Sequence, residues 1–333
     1  MPETLSIADA QALVYAALVA SDVSERNAAS VARALIAAEV DGQSGHGLSR
    51  VPSYTAQARV GKVKGHAVPQ MQNVKPGVFR VDGGHGYAFP AFDIALPEVA
   101  RRAKSLGVAV GAIHRSHHFG AAGHHCEWLA EQGLIAFVYG NSPKAMALWG
   151  GREAVLGTNP IAFGAPAPGS PLVIDMAVST VARGKVLAAR EKGETEIPGD
   201  WALGPDGQPT TDPAQALAGT MQPMGGAKGA ALALMVEVMS ACLAGAALGS
   251  EASSLFDDKG GPPNLGQTIL ALDAEAISGG AFAERFAALA ALYDATEDAR
   301  MPGSRRLAAR EKAAHEGLTV NDTLLAQIRE IAG

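Results

Sequence analysis

The sequence has little of what several large protein classes require. Only two of its 333 residues are cysteines, Cys126 and Cys242, and they are too far apart to predict a disulfide-stapled scaffold. Its formal net charge is -6 and it has no basic run, which argues against nucleic acid or an anionic membrane as partner. The first residues, MPETLSIADAQ, lack the charged and apolar regions of a signal peptide. We therefore expect a cytoplasmic protein.

The usual nucleotide-binding fingerprints are also missing. No GxGxxG and no GxxxxGK[ST] occurs in the chain, so a nucleotide would not lie on a Rossmann turn or a Walker loop. The segment 229–249 is apolar and long enough to suggest a membrane span. Glu237 at its centre, together with its many small residues, instead predicts a helix buried in a globular core.

Local patterns predict helices at both ends of the chain and a sheet between them. Ser6 and Ser24 are candidate N-caps for two amphipathic helices, and a last helix is expected near 321–331. Short β-rich runs alternate with helical patterns in the middle of the chain, at 78–81, 108–113, 134–139, 172–174 and 269–272. We expect helices at 90–103, 121–132 and 281–297, and one that begins at Ser179 and carries Lys185. The pattern predicts an α/β (α+β) protein with a mixed sheet.

The segment 111–127, GAIHRSHHFGAAGHHCE, holds five of the nine histidines and is the strongest chemical signal. An apolar strand leads into it and a helical pattern follows, so His118 and Phe119 are expected at a strand-to-helix turn facing a cleft. A solvated face that carries histidines by chance is the alternative. His114, His117, His118 and Cys126 are possible metal ligands, but no spacing matches a zinc pattern, and we expect no metal.

A second candidate site is DGQSGHGLSRVPSY, where His46 and Arg50 are four residues apart. They share one face if the segment is helical, and an arginine binds a carboxylate bidentately beside a histidine that transfers a proton. An ordinary surface loop is the alternative. The turn GGAKG before a long helix is a candidate phosphate site with Lys228. The arginines of RMPGSRRLAARE form either an anion site or a solvated face.

Together these motifs resemble the type 2 malate/L-lactate dehydrogenase family of non-Rossmann NAD(P)-dependent oxidoreductases. The matching motifs are His46-Gly47 with Arg50, SHHFGAAG from Ser116, GTNPIAF from Gly157, DMA at Asp175, ARGK ending at Lys185, GGAKG from Gly225 and RMPG from Arg300. The GPDGQPTTDP loop and the RMPGSRR segment are most similar to Δ1-piperideine-2-carboxylate/Δ1-pyrroline-2-carboxylate reductases, and sulfolactate dehydrogenases are also similar.

The helical hairpin at one end, the alternating strands and the missing fingerprint predict a mixed-sheet cofactor domain of non-Rossmann type at 71–298 and a helical domain at 1–70 that the tail 299–333 joins. The resemblance adds a set of roles. It implies that His46 is a proton donor, that Arg50 binds the substrate carboxylate and that Thr158 approaches the substrate. In ureidoglycolate-type members the acid/base is instead the histidine found here at His118. The implied contacts of NAD or NADP are His118, Phe119, Gly120, Ala121, Ala122, Ser142, Asp175, Met176, Ala177, Lys228, Arg300, Pro302, Gly303, Arg305 and Arg306.

Two departures from the family pattern bear on the chemistry. The family commonly has serine directly before the catalytic histidine, but Gly45 stands there, so a relay through serine would have to use Ser44. The imino-acid reductases carry aspartate where this chain has Lys185, and a cation there cannot serve as their carboxylate does. We therefore expect hydride transfer at C2 of a small 2-hydroxy or 2-oxo acid.

Two other functions are the alternatives. One is reduction of a cyclic imino acid, and the other is metal binding by the histidine cluster. We expect a small carboxylate as substrate, no nucleic acid or membrane partner, and a homodimer, which the resemblance implies and the alanine- and glycine-rich surface favours.

Overall fold

The computed structural model describes residues 3–333, and for Glu191 it describes the backbone alone. The chain begins with β1 (Glu3–Leu5), α1 (Ile7–Val19), α2 (Glu25–Val40) and α3 (Val51–Arg59). The side chains of Ser6 and Ser24 accept hydrogen bonds from Asp9 N and Asn27 N, so both predicted N-caps are confirmed. The chain ends with α11 (Ser304–Glu316), β13 (Leu318–Val320) and α12 (Asp322–Ala332).

The two ends of the chain share one apolar core. β1 pairs with β13 in antiparallel register, with Glu3 opposite Val320. Leu325 and Ile328 of α12 are buried in the same cluster as Val14 of α1 and Leu35 of α2. Because apolar side chains of α12 and of α1 and α2 are buried together, the tail is held against the N-terminal helices.

The middle of the chain forms a seven-stranded sheet in the order β2-β3-β4-β12-β5-β8-β9. Its strands are β2 (Gln70–Lys75), β3 (Val78–Asp82), β4 (Val108–Ser116), β5 (Leu134–Gly140), β8 (Ile161–Ala165), β9 (Leu172–Met176) and β12 (Leu265–Asp273). Only β3 and β4 pair in parallel, and the other neighbours in this sheet are antiparallel. This order differs from the parallel Rossmann arrangement, and the expected fold class is confirmed.

Helices α4 (Ala88–Leu106) and α5 (Ala122–Glu131) cover this sheet with a second apolar core. A four-stranded sheet, β10-β11-β6-β7, stands beside it with a third core. Its strands are β6 (Met146–Ala147), β7 (Ala154–Leu156), β10 (Ala202–Leu203) and β11 (Thr220–Met221). The remaining helices are α6 (Arg183–Glu191), α7 (Pro213–Ala218), α8 (Ala227–Glu237), α9 (Ala274–Ser278) and α10 (Phe282–Asp294).

The structure differs from the predicted elements at three places. The helix expected at Ser179 begins at Arg183, because the Ser179 hydroxyl donates to Val181 O instead of capping a helix. The helix α11 was not predicted, because its N-cap is Gly303 in the left-handed conformation instead of a polar capping residue. The segment 229–249 is not a single buried helix. The α-helical part, α8, ends at Glu237 and is followed by a π-helical turn, Val238–Cys242. Leu234 and Val238 are about half exposed.

Among residues 3–333, none of the helices combines the length and the apolar character needed to cross a bilayer.

Candidate active site

His46 and Arg50 lie in two short 3₁₀ turns, Ser44–His46 and Leu48–Arg50, that lead directly into α3. The Glu39 carboxylate at the end of α2 accepts a hydrogen bond from Leu48 N at 2.8 Å. A Cβ on Gly47 would lie 2.1 Å from Glu39 Oε2, so a larger residue there would displace the carboxylate that holds Leu48 N. Helix α2 therefore fixes the position of both functional side chains.

The structure brings His46 and His118 together in a chain of hydrogen bonds. Their rings stack with centroids 5.2 Å apart, and His46 Nδ1 lies 3.2 Å from His118 Nε2. His118 Nδ1 lies 2.5 Å from the hydroxyl of Tyr54, whose ring is fully buried in α3. Both imidazoles are partly exposed, whereas His117 between them and the core is buried. Within residues 3–333, His46 Nε2 is the one ring nitrogen of the pair that makes no hydrogen bond.

The environment keeps both imidazoles neutral. Burial, followed by the charges of Arg50 and His124, lowers the pKa of His46 to about 4. Burial, with Arg50 and His46 as further causes, holds the pKa of His118 well below its usual value. Burial raises the pKa of Tyr54, which therefore stays protonated. The neutral His46 can accept a proton at Nε2 in the tautomer in which His46 Nδ1–H donates to His118 Nε2 and His118 Nδ1–H donates to the Tyr54 oxygen.

Three other histidines of the run, His117, His124 and His125, are held by separate partners. His117 Nε2 lies 2.8 Å from Gln57 Oε1 of α3. His124 Nε2 lies 2.8 Å from the Asp41 carboxylate, and His125 Nε2 lies 3.0 Å from Phe119 O. In the described part of the chain, no group of three or more His, Cys, Asp or Glu side chains is arranged to hold a metal ion.

Arg50 is fixed at two points and open at its remaining edge. Its Nε donates to Gly45 O at 2.6 Å, and its guanidinium carbon lies 4.9 Å from the centroid of the Phe256 ring. A Cβ placed on Gly184, at the start of α6, would lie 3.8 Å from Arg50 Nη2. We call the space between Arg50, His46, Phe256 and Gly184 the Arg50 cleft.

Two of the expected catalytic residues are less closely engaged. Lys185 follows Gly184 on α6 and is exposed, with its ammonium 4.6 Å from the centroid of the Trp201 ring. The Ser44 side chain is exposed, and its backbone oxygen accepts the hydrogen bond of the Ser49 hydroxyl at 2.6 Å. Ser44 is therefore not part of the hydrogen-bond chain that joins His46 to Tyr54.

The expected cofactor residues meet at the carboxyl end of β9. Asp175 Oδ2 accepts a hydrogen bond from Gly123 N in the first turn of α5 at 2.8 Å, and burial raises the pKa of this carboxyl group. Gly303 packs against the same strand, since a Cβ there would lie 3.6 Å from Val173 O and 3.7 Å from Arg306 Nη2. The run 118–122, the strand end 175–177 and the tail turn 302–306 are thereby neighbours.

The same strand end also reaches the two other loops. Val178 N donates to Thr158 O at 2.9 Å, and Met224 N, just before the GGAKG turn, donates to Val178 O at 3.0 Å. Thr158 N in turn donates to the hydroxyl of Ser142 at 3.0 Å. Lys228 lies exposed in the first turn of α8, whose N-cap Gly226 supplies no side-chain hydrogen bond.

A buried carboxylate ties these loops to α8. Glu237 is 4% exposed, and its two oxygens accept hydrogen bonds from Asn159 Nδ2 at 2.8 Å and from Gly249 N at 2.6 Å. The Asn159 amide oxygen accepts from Ser142 N at 3.3 Å. Glu237 thus fixes the orientation of the amide that supports the Ser142 loop.

The arginines of the tail divide into two groups. Arg310 makes a pair of 2.8 Å hydrogen bonds to Asp41 and two longer ones to Glu127, which joins α11 to α2 and α5. Arg306 is buried with Nη1 2.6 Å from Glu127 Oε2, yet its three nitrogens make no hydrogen bond of good geometry within residues 3–333. Arg300, Pro302 and Arg305 are exposed.

Three residues of this region were not singled out from the sequence. Tyr54 stands four residues after Arg50, so the helical spacing that linked His46 to Arg50 extends to it. Glu237 was read only as a mark of a globular helix, although a buried carboxylate needs partners. Phe256 lies in a loop that gives no local signal.

The chain was compared with known proteins. The family model described as malate/L-lactate dehydrogenase matches residues 5–329. A (2R)-3-sulfolactate dehydrogenase (NADP(+)) from Chromohalobacter salexigens is 46% identical over 100% of this chain and 99% of its own length. A Δ1-pyrroline-2-carboxylate reductase from Ancylobacter novellus is 39% identical over 99% of this chain and 98% of its own. The crystal structure of a Δ1-piperideine-2-carboxylate reductase from Pseudomonas syringae superposes with a TM-score of 0.92 at 34% identity, covering 99% of both chains.

A match along nearly the whole chain agrees with the non-Rossmann sheet and with the contact between the two histidine motifs. This protein is an enzyme that belongs to the malate/L-lactate dehydrogenase family.

Proposed function

We propose that this enzyme transfers hydride between the nicotinamide of NAD or NADP and C2 of a small 2-hydroxy or 2-oxo carboxylate. One observation carries the proposal: within residues 3–333 the His46–His118–Tyr54 chain ends in His46 Nε2, which makes no hydrogen bond, while Arg50, whose charge lowers the pKa of His46, donates through Nε to Gly45 O and keeps its terminal N–H groups for a ligand. Arg50 binds the substrate carboxylate bidentately. His46 exchanges the proton of the oxygen on C2, and His118 shares the charge through its contact with His46.

In the oxidative direction the neutral His46 accepts the hydroxyl proton as the C2–H bond breaks. When bound, the nicotinamide accepts the hydride. In reduction the protonated histidine pair returns the proton to the C2 oxygen. The substrate carboxylate cancels the Arg50 charge, which is one cause of the low pKa of His46. We expect the pKa seen in the pH profile of kcat, which reports the complex, to lie above that seen in kcat/KM.

The residues at the β9 end fit a dinucleotide. The buried Arg306 has N–H groups without well-aligned partners, which suits a phosphate or ribose oxygen. Helix α8 begins without a side-chain cap, and the exposed Lys228 adds a positive charge in its first turn. The proposed contacts are those expected from the family: 118–122, Ser142, 175–177, Lys228, Arg300, Pro302, Gly303, Arg305 and Arg306. The sulfolactate relative is NADP(+)-dependent, which favours NADP.

Lys185 bears on the choice of substrate. Lys185 directly follows Gly184, which borders the Arg50 cleft. Its ammonium can therefore pair with a second anionic group of the substrate, such as a carboxylate or sulfonate. It would repel an iminium cation. We therefore propose a dianionic 2-oxo acid as the preferred substrate. The similarity to imino-acid reductases keeps Δ1-piperideine-2-carboxylate as the second candidate.

A panel of 2-oxo acids and cyclic imines, followed by nicotinamide absorbance with NADH and NADPH, tests this proposal. We expect oxo acids to have the higher kcat/KM and Lys185→Asp to narrow or reverse the ratio. A tenfold preference of the unmodified enzyme for the cyclic imine, about 1.4 kcal/mol of transition-state free energy, would replace the oxo-acid proposal with the imino-acid one.

We also propose a homodimer and a division into a helical domain, 1–70 with 299–333, and a cofactor domain, 71–298. Helix α10 supports the dimer, because it has no buried residue and its Leu289 and Leu292 are at least half exposed. Light scattering that gives a monomer mass at micromolar concentration would contradict the dimer. The shared core of α12 with α1 and α2 supports the domain division.

A further inference from the structure

A buried lysine, which the proposed mechanism does not use, lies just after α3. The side chain of Lys62 is fully buried, and its ammonium donates hydrogen bonds to three backbone oxygens: Ser254 O at 2.7 Å, Asp257 O at 3.0 Å and Lys259 O at 2.6 Å. The Asp257 carboxylate adds a charge 3.6 Å away. All three ammonium protons are directed into one loop, so Lys62 fixes its shape.

The loop, residues 253–261, is closed on itself and attached to α3 at a second point. The Ser253 hydroxyl donates to Gly261 O at 2.6 Å. Leu255 O accepts a hydrogen bond from Gln57 Nε2 at 3.1 Å, and the oxygen of the same amide lies 2.8 Å from His117 Nε2. The loop is therefore rigidly joined to the helix that follows Arg50.

The loop carries one side chain to the Arg50 cleft. Phe256 is 42% exposed, and its ring covers one face of the Arg50 guanidinium at 4.9 Å. Together with the bond from Arg50 Nε to Gly45 O, the ring restricts the guanidinium to one plane. A cation over an aromatic face is attracted by the ring quadrupole, and the ring keeps water from that side.

We infer that Phe256 and Lys62 are positioning residues for the substrate carboxylate, Phe256 through Arg50 and Lys62 through the 253–261 loop. This inference rests on the proposed function, in which Arg50 binds that carboxylate. Phe256 and Lys62 set the orientation of the guanidinium before the substrate binds. They therefore lower the KM of the carboxylate substrate and leave the KM of the cofactor unchanged.

The test compares Phe256→Leu, which removes the ring and keeps an apolar side chain, with Phe256→Tyr, which keeps the ring. We expect Phe256→Leu to raise the KM of the best 2-oxo acid about threefold. The cofactor KM should be unchanged and kcat should stay within twofold. Phe256→Tyr should keep the substrate KM of the unmodified enzyme. A residue that only stabilises the fold would lower the melting temperature without separating the two KM values.

Lys62→Met is the second variant, and Lys64→Met, which removes an exposed lysine two residues away, is its matched control. We expect Lys62→Met to raise the substrate KM at least as much as Phe256→Leu and the control to leave it unchanged. If Lys62→Met does not fold, the two Phe256 variants decide. If the wild type is active and Phe256→Leu and Phe256→Tyr have the same substrate KM, the inference is overturned. A wild type that turns over neither oxo acids nor cyclic imines overturns the proposed function instead.

Discussion

Tyr54→Phe is the sharpest test of the proton chain, because it removes one oxygen atom from a fully buried side chain. The variant loses the 2.5 Å contact with His118 Nδ1 and leaves that nitrogen without a partner. A net hydrogen bond contributes about 1 kcal/mol, and an unsatisfied buried group costs about 1–3 kcal/mol. Without the hydroxyl, His118 is free to change tautomer and turn away from His46.

We expect part of this loss to appear in the transition state, with kcat about tenfold lower, or about 1.4 kcal/mol. Tyr87→Phe is the matched control. Tyr87 is equally buried and its ring packs against that of Tyr54 at a tilt of 33°, but its hydroxyl donates to the backbone oxygen of Tyr54 and not to a histidine. Steady-state kinetics and thermal unfolding should show a lower melting temperature in both variants and a lower kcat only in Tyr54→Phe. Equal kcat values for the two variants would refute the role of Tyr54 in the chain.

Three further predictions concern the cofactor and the fold. Lys228→Ala should raise the cofactor KM with kcat nearly kept, because an exposed lysine beside a phosphate stabilises ground and transition states equally; a large fall in kcat at constant KM would contradict this. In Glu237→Gln an amide N–H replaces one carboxylate oxygen and faces the N–H donor of either Asn159 or Gly249. The melting temperature should therefore fall and the cofactor KM should rise about tenfold. Glu251→Gln keeps an oxygen for Leu248 N and should change neither quantity. Although burial opposes ionisation, hydrogen bonds from His124 and Arg310 lower the pKa of Asp41 to about 2. A folded pKa below the ordinary value of 3.8 gives stability that is present above about pH 4 and lost as the pH falls toward about 2. The stability lost in this way amounts to about 2 kcal/mol. Urea unfolding at pH 3 and pH 6 should show that Asp41→Asn lacks this pH-dependent loss, because asparagine does not titrate.

Short-range features of this protein were determined by the sequence alone. Ser6 and Ser24 begin α1 and α2 because their caps act within three residues. The five predicted strand runs coincide with β3, β4, β5, β9 and β12 because a buried strand needs a continuous apolar segment. His46, Arg50 and His118 were recognised because each lies in a dense local motif. Where the local signal was misleading, as at Ser179 and Gly303, the helix boundary was wrong or the helix was not found.

Only the tertiary structure decided which of these groups act together. The two histidine motifs meet because α3 contacts the residues just after β4, Gln57 at His117 and Tyr54 at His118. His46 Nδ1 then contacts His118, which leaves His46 Nε2 as the free nitrogen. Phe256 and Glu237 contact Arg50 and Asn159, which are far away along the chain. Such contacts depend on the summed burial of whole helices and strands, whereas caps and periodicity depend on residues one or two turns apart.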